Sequence, residues 1–204
     1  VFENWTVETF DIKEITKEKP WQWRHVFGLD YGYTNDPTAF IAAAVNPLER
    51  ALYVYDEHYE HRMLNSDIAA MVIRKGYGKE RIRADAAEPK SNDDLRRLGL
   101  GRLQSARKGP DSVINGIARL QEYKIVVHRG CMHTAAELAA YCWKVDRAGT
   151  TQNVPEDRNN HLMDALRYAM EDVTNFRPSA EKPRTPRPST TGVNAEDMRG
   201  GGLW

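Results

Sequence analysis

Three aspartates stand where carboxylates could hold hard metal ions. Asp30 closes the apolar run Val26-Phe27-Gly28-Leu29, Asp85 follows Ile82-Arg83-Ala84, and Asp164 lies inside a helical pattern over residues 160–173. Phosphodiester cleavage needs an activated water and stabilisation of a charged, in-line transition state. Two divalent ions about 4 Å apart supply both. Mg²⁺ and Mn²⁺ prefer oxygen ligands, so such a centre is built from Asp and Glu. Its mark in a sequence is acids far apart along the chain that fall at strand ends, or on a helix crossing a sheet edge.

Each position also has a plainer reading. Asp30 precedes the turn-forming string Tyr31-Gly32-Tyr33-Thr34-Asn35-Asp36-Pro37, so an Asx turn after a strand accounts for it equally well. In the catalytic reading it sits at the sheet rim, where sites of α/β proteins gather, and Gly32 lets backbone approach a phosphate. Asp85 stands among small residues in Ala84-Asp85-Ala86-Ala87, which leaves room for a metal and a nucleic-acid backbone. On the last helix, Leu162, Ala165, Leu166, Ala169, Met170 and Val173 form one apolar stripe, and Asp164 lies almost opposite it. Periodicity alone therefore makes Asp164 a solvated residue. His161 shares its face at i, i+3 and could hydrogen-bond a carboxylate or assist proton transfer.

Competing motifs are weak. Gly76-Tyr77-Gly78-Lys79 is too short for a phosphate-binding loop and lacks the Ser or Thr after Lys. No Gly-x-Ser-x-Gly elbow occurs. His128, Cys131 and His133 cluster, but a structural zinc site wants four ligands at defined spacing, and a polar loop after a strand explains them. His58 and His61 read the same way.

The elements that must position the acids follow from composition and periodicity. The chain has 204 residues, is 41% hydrophobic and suits one domain with extensions. Lys and Arg together number 29, as do Asp and Glu, so any nucleic-acid contact must come from local basic residues or another module. Two cysteines make no disulfide framework, and a reducing compartment is the simplest expectation. No apolar stretch approaches the roughly 20 residues that span a bilayer, and no membrane partner is expected. Residues 1–24 show no strong periodicity and read as an arm that packs on something or links to a preceding domain. Strands are expected at 26–30, 39–45 and 51–59, the last two paired as an antiparallel hairpin. A helix over 66–74, a strand over 81–85 and a helix over 91–98 with Ser91 as its cap follow. Then come a helix over 111–122, a strand over 125–128, a helix over 134–140, an irregular ribbon over 141–154 around Arg147-Ala148-Gly149, and the helix over 160–173. A meander followed by helix–strand crossovers implies an α/β fold, a mixed sheet with helices on its faces. Residues 177–204 alternate Pro with Lys and Arg, end in glycines, and read as a disordered tail, passive or docking.

Four blocks resemble the nuclease domain of tailed-bacteriophage terminase large subunits, in that family's order. They are Phe27-Gly28-Leu29-Asp30-Tyr31-Gly32-Tyr33 with Asn35-Asp36-Pro37-Thr38-Ala39; Ala84-Asp85-Ala86-Ala87-Glu88-Pro89-Lys90-Ser91; residues 106–117, beginning Ala106-Arg107-Lys108-Gly109; and Asn160-His161-Leu162-Met163-Asp164-Ala165-Leu166-Arg167. The resemblance covers about residues 25–173 and implies an RNase H-like fold (ribonuclease H/integrase superfamily). It implies a domain at 25–176 that cuts concatemeric double-stranded viral DNA during packaging with two divalent ions, Mg²⁺ or Mn²⁺. It carries the metal ligands onto Asp30, Asp85 and Asp164, with Asp30 bridging and His161 accessory. A fourth acid is not placed by it; Asp56, Glu57 and Glu88 are candidates.

The same resemblance implies partners: the portal protein, the terminase small subunit, and an ATPase domain of the full-length chain. No Walker A motif precedes the nuclease, so residues 1–24 resemble the end of a connection from that motor, and the chain reads as an excised, monomeric nuclease domain. The implied setting is the host cytoplasm at the procapsid. Basic residues expected near DNA are Lys90, Arg107, Lys108, Lys144 and Arg147. Two other readings stay open: another RNase H-like nuclease, such as a junction resolvase or an RNase H, and a non-catalytic module that docks on the portal.

Overall fold

The computed structural model describes residues 1–107, 109–156 and 158–173; the expected tail at 177–204 lies outside them. Its chain order is β1 (Trp5–Glu8), α1 (Ile12–Lys17), β2 (Arg24–Asp30), β3 (Thr38–Asn46), β4 (Ala51–Glu60), α2 (Asn65–Arg74), β5 (Ile82–Ala84), α3 (Pro89–Arg97), β6 (Gln104–Ser105), α4 (Ser112–Gln121), β7 (Lys124–His128), α5 (Met132–Ala140), β8 (Trp143–Val145), β9 (Thr151–Pro155) and α6 (His161–Ala169), which a 3₁₀ turn extends over Met170–Val173.

Seven strands form one mixed sheet in the order β1-β7-β4-β3-β2-β5-β6, and β8 and β9 make a separate hairpin. The meander β2-β3-β4 is antiparallel, and β5, β6 and β7 join it through parallel pairings. Strand β3 sits mid-sheet, and every one of its residues is buried. A strand covered on both faces must be apolar throughout, which the run Ala39-Phe40-Ile41-Ala42-Ala43-Ala44-Val45 satisfies.

Period-2 alternation divides the interior into two cores. Phe27, Leu29, Phe40 and Ala42 face Ile68, Met71 and Val72 of α2 and Leu95 of α3. Val26, Ile41, Ala43, Leu52 and Val54 face Ile117 of α4, Leu138 of α5, and Leu162, Ala165 and Leu166 of α6. By the same alternation Gly28 and Asp30 share the side of Val26, under α6. No helix among the described residues is long and apolar enough to cross a membrane.

Several expectations change. The lead-in arm contributes a strand, β1, paired in parallel with β7 from Trp5↔Ile125 to Glu8↔His128. Four edge residues are too short for a periodic signal, and only the partner strand defines them. The helix over 91–98 starts two residues earlier, at Pro89 with Glu88 as N-cap, because Pro suits the first helical turn. Ser91 is therefore not the cap; its hydroxyl lies 3.3 Å from Oε2 of Glu88. The ribbon over 141–154 forms the antiparallel β8–β9 hairpin, irregular as expected, with a register shift between Trp143 and Val145 and a positive φ of 83° at Gly149.

Candidate active site

Asp30 and Asp85 meet because of register. Strands β2 and β5 run parallel with Leu29 opposite Ala84, and the next residues on each are the two aspartates. In-register neighbours on adjacent strands lie about 4.8 Å apart and point to the same face. The Asp85 main chain is pinned, its N–H donating to the Leu29 carbonyl at 3.1 Å. Its carbonyl accepts from Nδ2 of buried Asn92 at 2.8 Å, and Asn92 in turn accepts from the Tyr31 hydroxyl at 2.9 Å.

Helix α6 crosses this strand end on the Asp30 side. The crossing is close because Gly28 has no side chain: a Cβ there would lie 1.8 Å from the Ala165 carbonyl oxygen. His161, at the start of α6, places Nδ1 3.1 Å from Oδ2 of Asp30 and Nε2 3.5 Å from Oδ1 of Asp36. Asp164 accepts from Nε and Nη2 of Arg167 at 3.1 and 2.6 Å on Oδ1.

Asp164 is less solvated than periodicity implies. Helix α6 is buried nearly all round, with Leu162, Met163, Ala165, Leu166, Arg167 and Ala169 all inside. His161, Asp164 and Tyr168 are half-buried and form its least enclosed stripe. That stripe rims two grooves. One, of about 490 Å³, is lined by Arg107, Ser112, Asn115, Arg119, Asp164 and Arg167 among others. The other, of about 300 Å³, runs from Asp164 to Lys144.

Electrostatics tie the three acids together. Burial pushes the Asp30 carboxyl up to about 6; the His161 hydrogen bond opposes this, and the charges of Asp164 and Asp85 add to it. His161 is raised by its hydrogen bond to Asp30, with burial working against it. The buried Glu137 carboxyl is pushed up to about 7 by desolvation, which two backbone hydrogen bonds only partly offset.

The other expected residues divide. Arg107 and Lys144 line the grooves beside Asp164. Lys90 is exposed at the start of α3, Arg147 is exposed in the β8–β9 turn, and neither lines those grooves. Lys108 lies outside the described residues. Asp56 holds Lys75 and Tyr77 at 2.7 and 2.9 Å. Glu57 is bound to His133 and Thr134 at the start of α5. Glu88 caps α3. His128 accepts from the Gly130 N–H through Nδ1, and the Cys131 thiol is buried. Gly32 is explained by its own loop, since a Cβ there would lie 2.3 Å from the Pro37 carbonyl oxygen.

Sequence reasoning missed Arg167, Asp36 and Glu137. Arg167 stands at i, i+3 from Asp164, a spacing that signals an ion pair. The other two carry no local sign.

Among the described residues, no three carboxylate, imidazole or thiol groups close into a ready-made metal cluster. The side chains explain this: Asp164 turns to Arg167, and Oδ1 of Asp85 accepts from the Ala87 N–H at 3.0 Å. The donor chemistry nevertheless fits a hard divalent cation. Three carboxylates lie in one another's fields at a buried strand end, and Asp30 is short of positive charge there.

A mixed sheet with acids at adjacent parallel strand ends, crossed by a helix bringing a third acid and a histidine, defines an RNase H-like nuclease architecture. Residues 30–172 match the terminase RNase H-like domain family, and the chain belongs to it. It is 35% identical over 147 residues to the terminase large subunit of Bacillus phage SPP1, covering 71% of this chain and 35% of that protein. It is 29% identical over 162 residues to the PBSX phage terminase large subunit of Bacillus subtilis, covering 78% and 37%. The chain thus spans little more than a third of the length of either relative. The manganese-bound nuclease domain of the SPP1 large terminase superposes with a TM-score of 0.76 at 32% identity, covering 84% of this chain and 98% of that one.

Proposed function

We propose that this domain is the endonuclease of a phage packaging terminase, cutting concatemeric double-stranded DNA by hydrolysis assisted by two divalent ions, Mg²⁺ or Mn²⁺. The observation that carries the reading is the parallel register of β2 and β5, which seats Asp30 beside Asp85 under the helix bearing Asp164 and His161. The SPP1 relative holds Mn in its nuclease domain, and the donor set here is of the same hard-oxygen kind.

Asp30, Asp85 and Asp164 would hold the ions in this reading. Bound cations supply the Lewis acid and the activated water. His161 orients the Asp30 carboxylate and can accept a proton near it. Arg167 neutralises Asp164 through its ion pair, which Asp164 would exchange for a bound cation. Arg107 and Lys144 bring positive charge to the grooves on either side of Asp164, where a phosphodiester backbone would run. In the whole machine an ATPase domain, the portal protein and the small subunit would present the DNA at the procapsid in the host cytoplasm.

The test is a plasmid-nicking assay with Mn²⁺, Mg²⁺ or chelator on wild type and Asp30→Asn. Wild type should cut with metal only. Asp30→Asn should lose at least about 100-fold, since removing a ligand charge cripples metal binding. Equal cutting by Asp30→Asn would refute the site. Preference for RNA–DNA hybrid or four-way junctions would refute the packaging role.

A further inference from the structure

Outside the acid cluster the most unusual buried group is Glu137, on α5. A helix begins with N–H groups that have no intrahelical acceptor and are normally met by a cap from the preceding residue. The N-cap of α6, Asn160, makes no side-chain cap hydrogen bond. The N–H groups of Leu162 and Met163 instead donate to Oε2 of Glu137 at 2.8 and 3.0 Å. The accepting carboxylate lies 25 residues before Leu162 in the chain and is only 4% exposed. A carboxylate at this end also complements the helix dipole. The two capped residues are bracketed by His161 before them and Asp164 after them.

Three contacts therefore fix where α6 sits. Gly28 and Ala165 set its distance from the sheet. Arg83 of β5 holds its far end, with Nε and Nη2 at 2.9 and 2.8 Å from Oδ1 of Asp172. Glu137 holds the near end, where His161 meets Asp30. We propose that Glu137 is a positioning residue for the nuclease reaction: a cap lent by α5 that fixes the rotation and height of the first turn of α6, and so the placement of His161 and Asp164 against Asp30. It acts through backbone amides and touches no reacting atom.

The inference rests on the nuclease reading, so its test carries one readout that does not need cleavage. The full chain is compared as wild type, Glu137→Ala, Glu137→Gln and Val72→Ala, the last a core-weakened control on the opposite face of the sheet. Amide hydrogen exchange is measured at Leu162 and Met163, and Mn²⁺-dependent plasmid nicking gives kcat and KM. Glu137→Ala should lower protection at those two amides about tenfold relative to Val72→Ala, as expected for a lost cap. Its kcat should fall at least about tenfold with KM for DNA unchanged, since small misplacements of reacting groups are costly. Glu137→Gln keeps an acceptor oxygen and should recover most of both.

Wild-type protection in Glu137→Ala, an equal kcat loss in Val72→Ala, or a Gln variant as impaired as Ala would each overturn the proposal. If wild type does not cut DNA, the nuclease reading falls and the positioning role with it, while the amide protection still decides whether Glu137 caps α6.

Discussion

Helices α5 and α6 both start with a carboxylate supplied by another element, and the two carboxylates are used differently. At α5, Glu57 of β4 spends both oxygens. Oε2 accepts from the N–H and hydroxyl of Thr134 at 2.8 and 2.6 Å, and Oε1 accepts from the His133 N–H at 2.9 Å with its ring Nδ1 at 3.0 Å. At α6, Glu137 spends one oxygen on two amides, and the other, Oε1, is buried without a hydrogen-bond partner among the described residues. An unmet buried acceptor costs about 1–3 kcal/mol. The helix that carries neither His161 nor an acid of the cluster is met by a carboxylate whose two oxygens are both satisfied. The helix that carries His161 and Asp164 is held with a deficit, the pattern expected where a fold gives up local consistency for function.

The strongest challenge to this contrast comes from the seats of the two helices. Gly28→Ala drives a Cβ into the Ala165 backbone at 1.8 Å, and neither strand nor helix can yield cheaply. Overpacking of this kind is expected to cost about 3 kcal/mol or more in urea unfolding. At the start of α5, Gly130→Ala meets only the His128 ring, at 3.2 Å, and should cost less than about 1 kcal/mol. Similar losses at both positions would show that α6 is no more rigidly seated than α5.

Proton linkage sharpens the contrast next. The Glu137 carboxyl is raised from 4.5 to about 7 in the fold. Between those values the folded protein holds a proton that the unfolded chain has released, so stability falls as pH rises across that window. A shift of this size amounts to about 3 kcal/mol between pH 4 and 8. Asp30, raised to about 6, and His161, raised by its bond to Asp30, act in the same direction. Glu137→Gln should therefore reduce the pH dependence of metal-free stability between pH 4 and 8, and become more stable relative to wild type at the alkaline end. An unchanged pH profile, followed by denaturant titration, would mean that the buried Oε1 carries no such deficit.

How much of this could be read beforehand depends on whether the cause is local. The meander was legible: β3 is an unbroken apolar run because both its faces are covered. The strand-end positions of Asp30 and Asp85 were legible too, but their adjacency follows from parallel register, which no local pattern encodes. Periodicity put Asp164 on the right face, with His161 and Tyr168, but overstated its exposure, because α6 is enclosed nearly all round, with even Arg167 only 8% exposed. Glu137 sits in Ala135-Ala136-Glu137-Leu138 like any polar residue of an amphipathic helix. Only the docking of α5 against α6 turns it inward.

The smallest predicted effect separates scaffold from site. Glu57→Ala leaves the N–H groups of His133 and Thr134 and the buried Thr134 hydroxyl without their acceptor. Losing a cap of this kind should cost about 2 kcal/mol of stability. Because α5 bears neither His161 nor an acid of the cluster, the folded fraction should cut plasmid DNA with a kcat within about threefold of wild type at a temperature well below its midpoint, even though a loss of about 2 kcal/mol changes the folding equilibrium constant by about thirtyfold. Thermal unfolding and nicking measured on one preparation decide it. A kcat loss as large as that of Glu137→Ala would mean that strain at the start of α5 passes through to α6. The two carboxylates would then form one continuous support for the site, with Glu57 holding the helix from which Glu137 reaches.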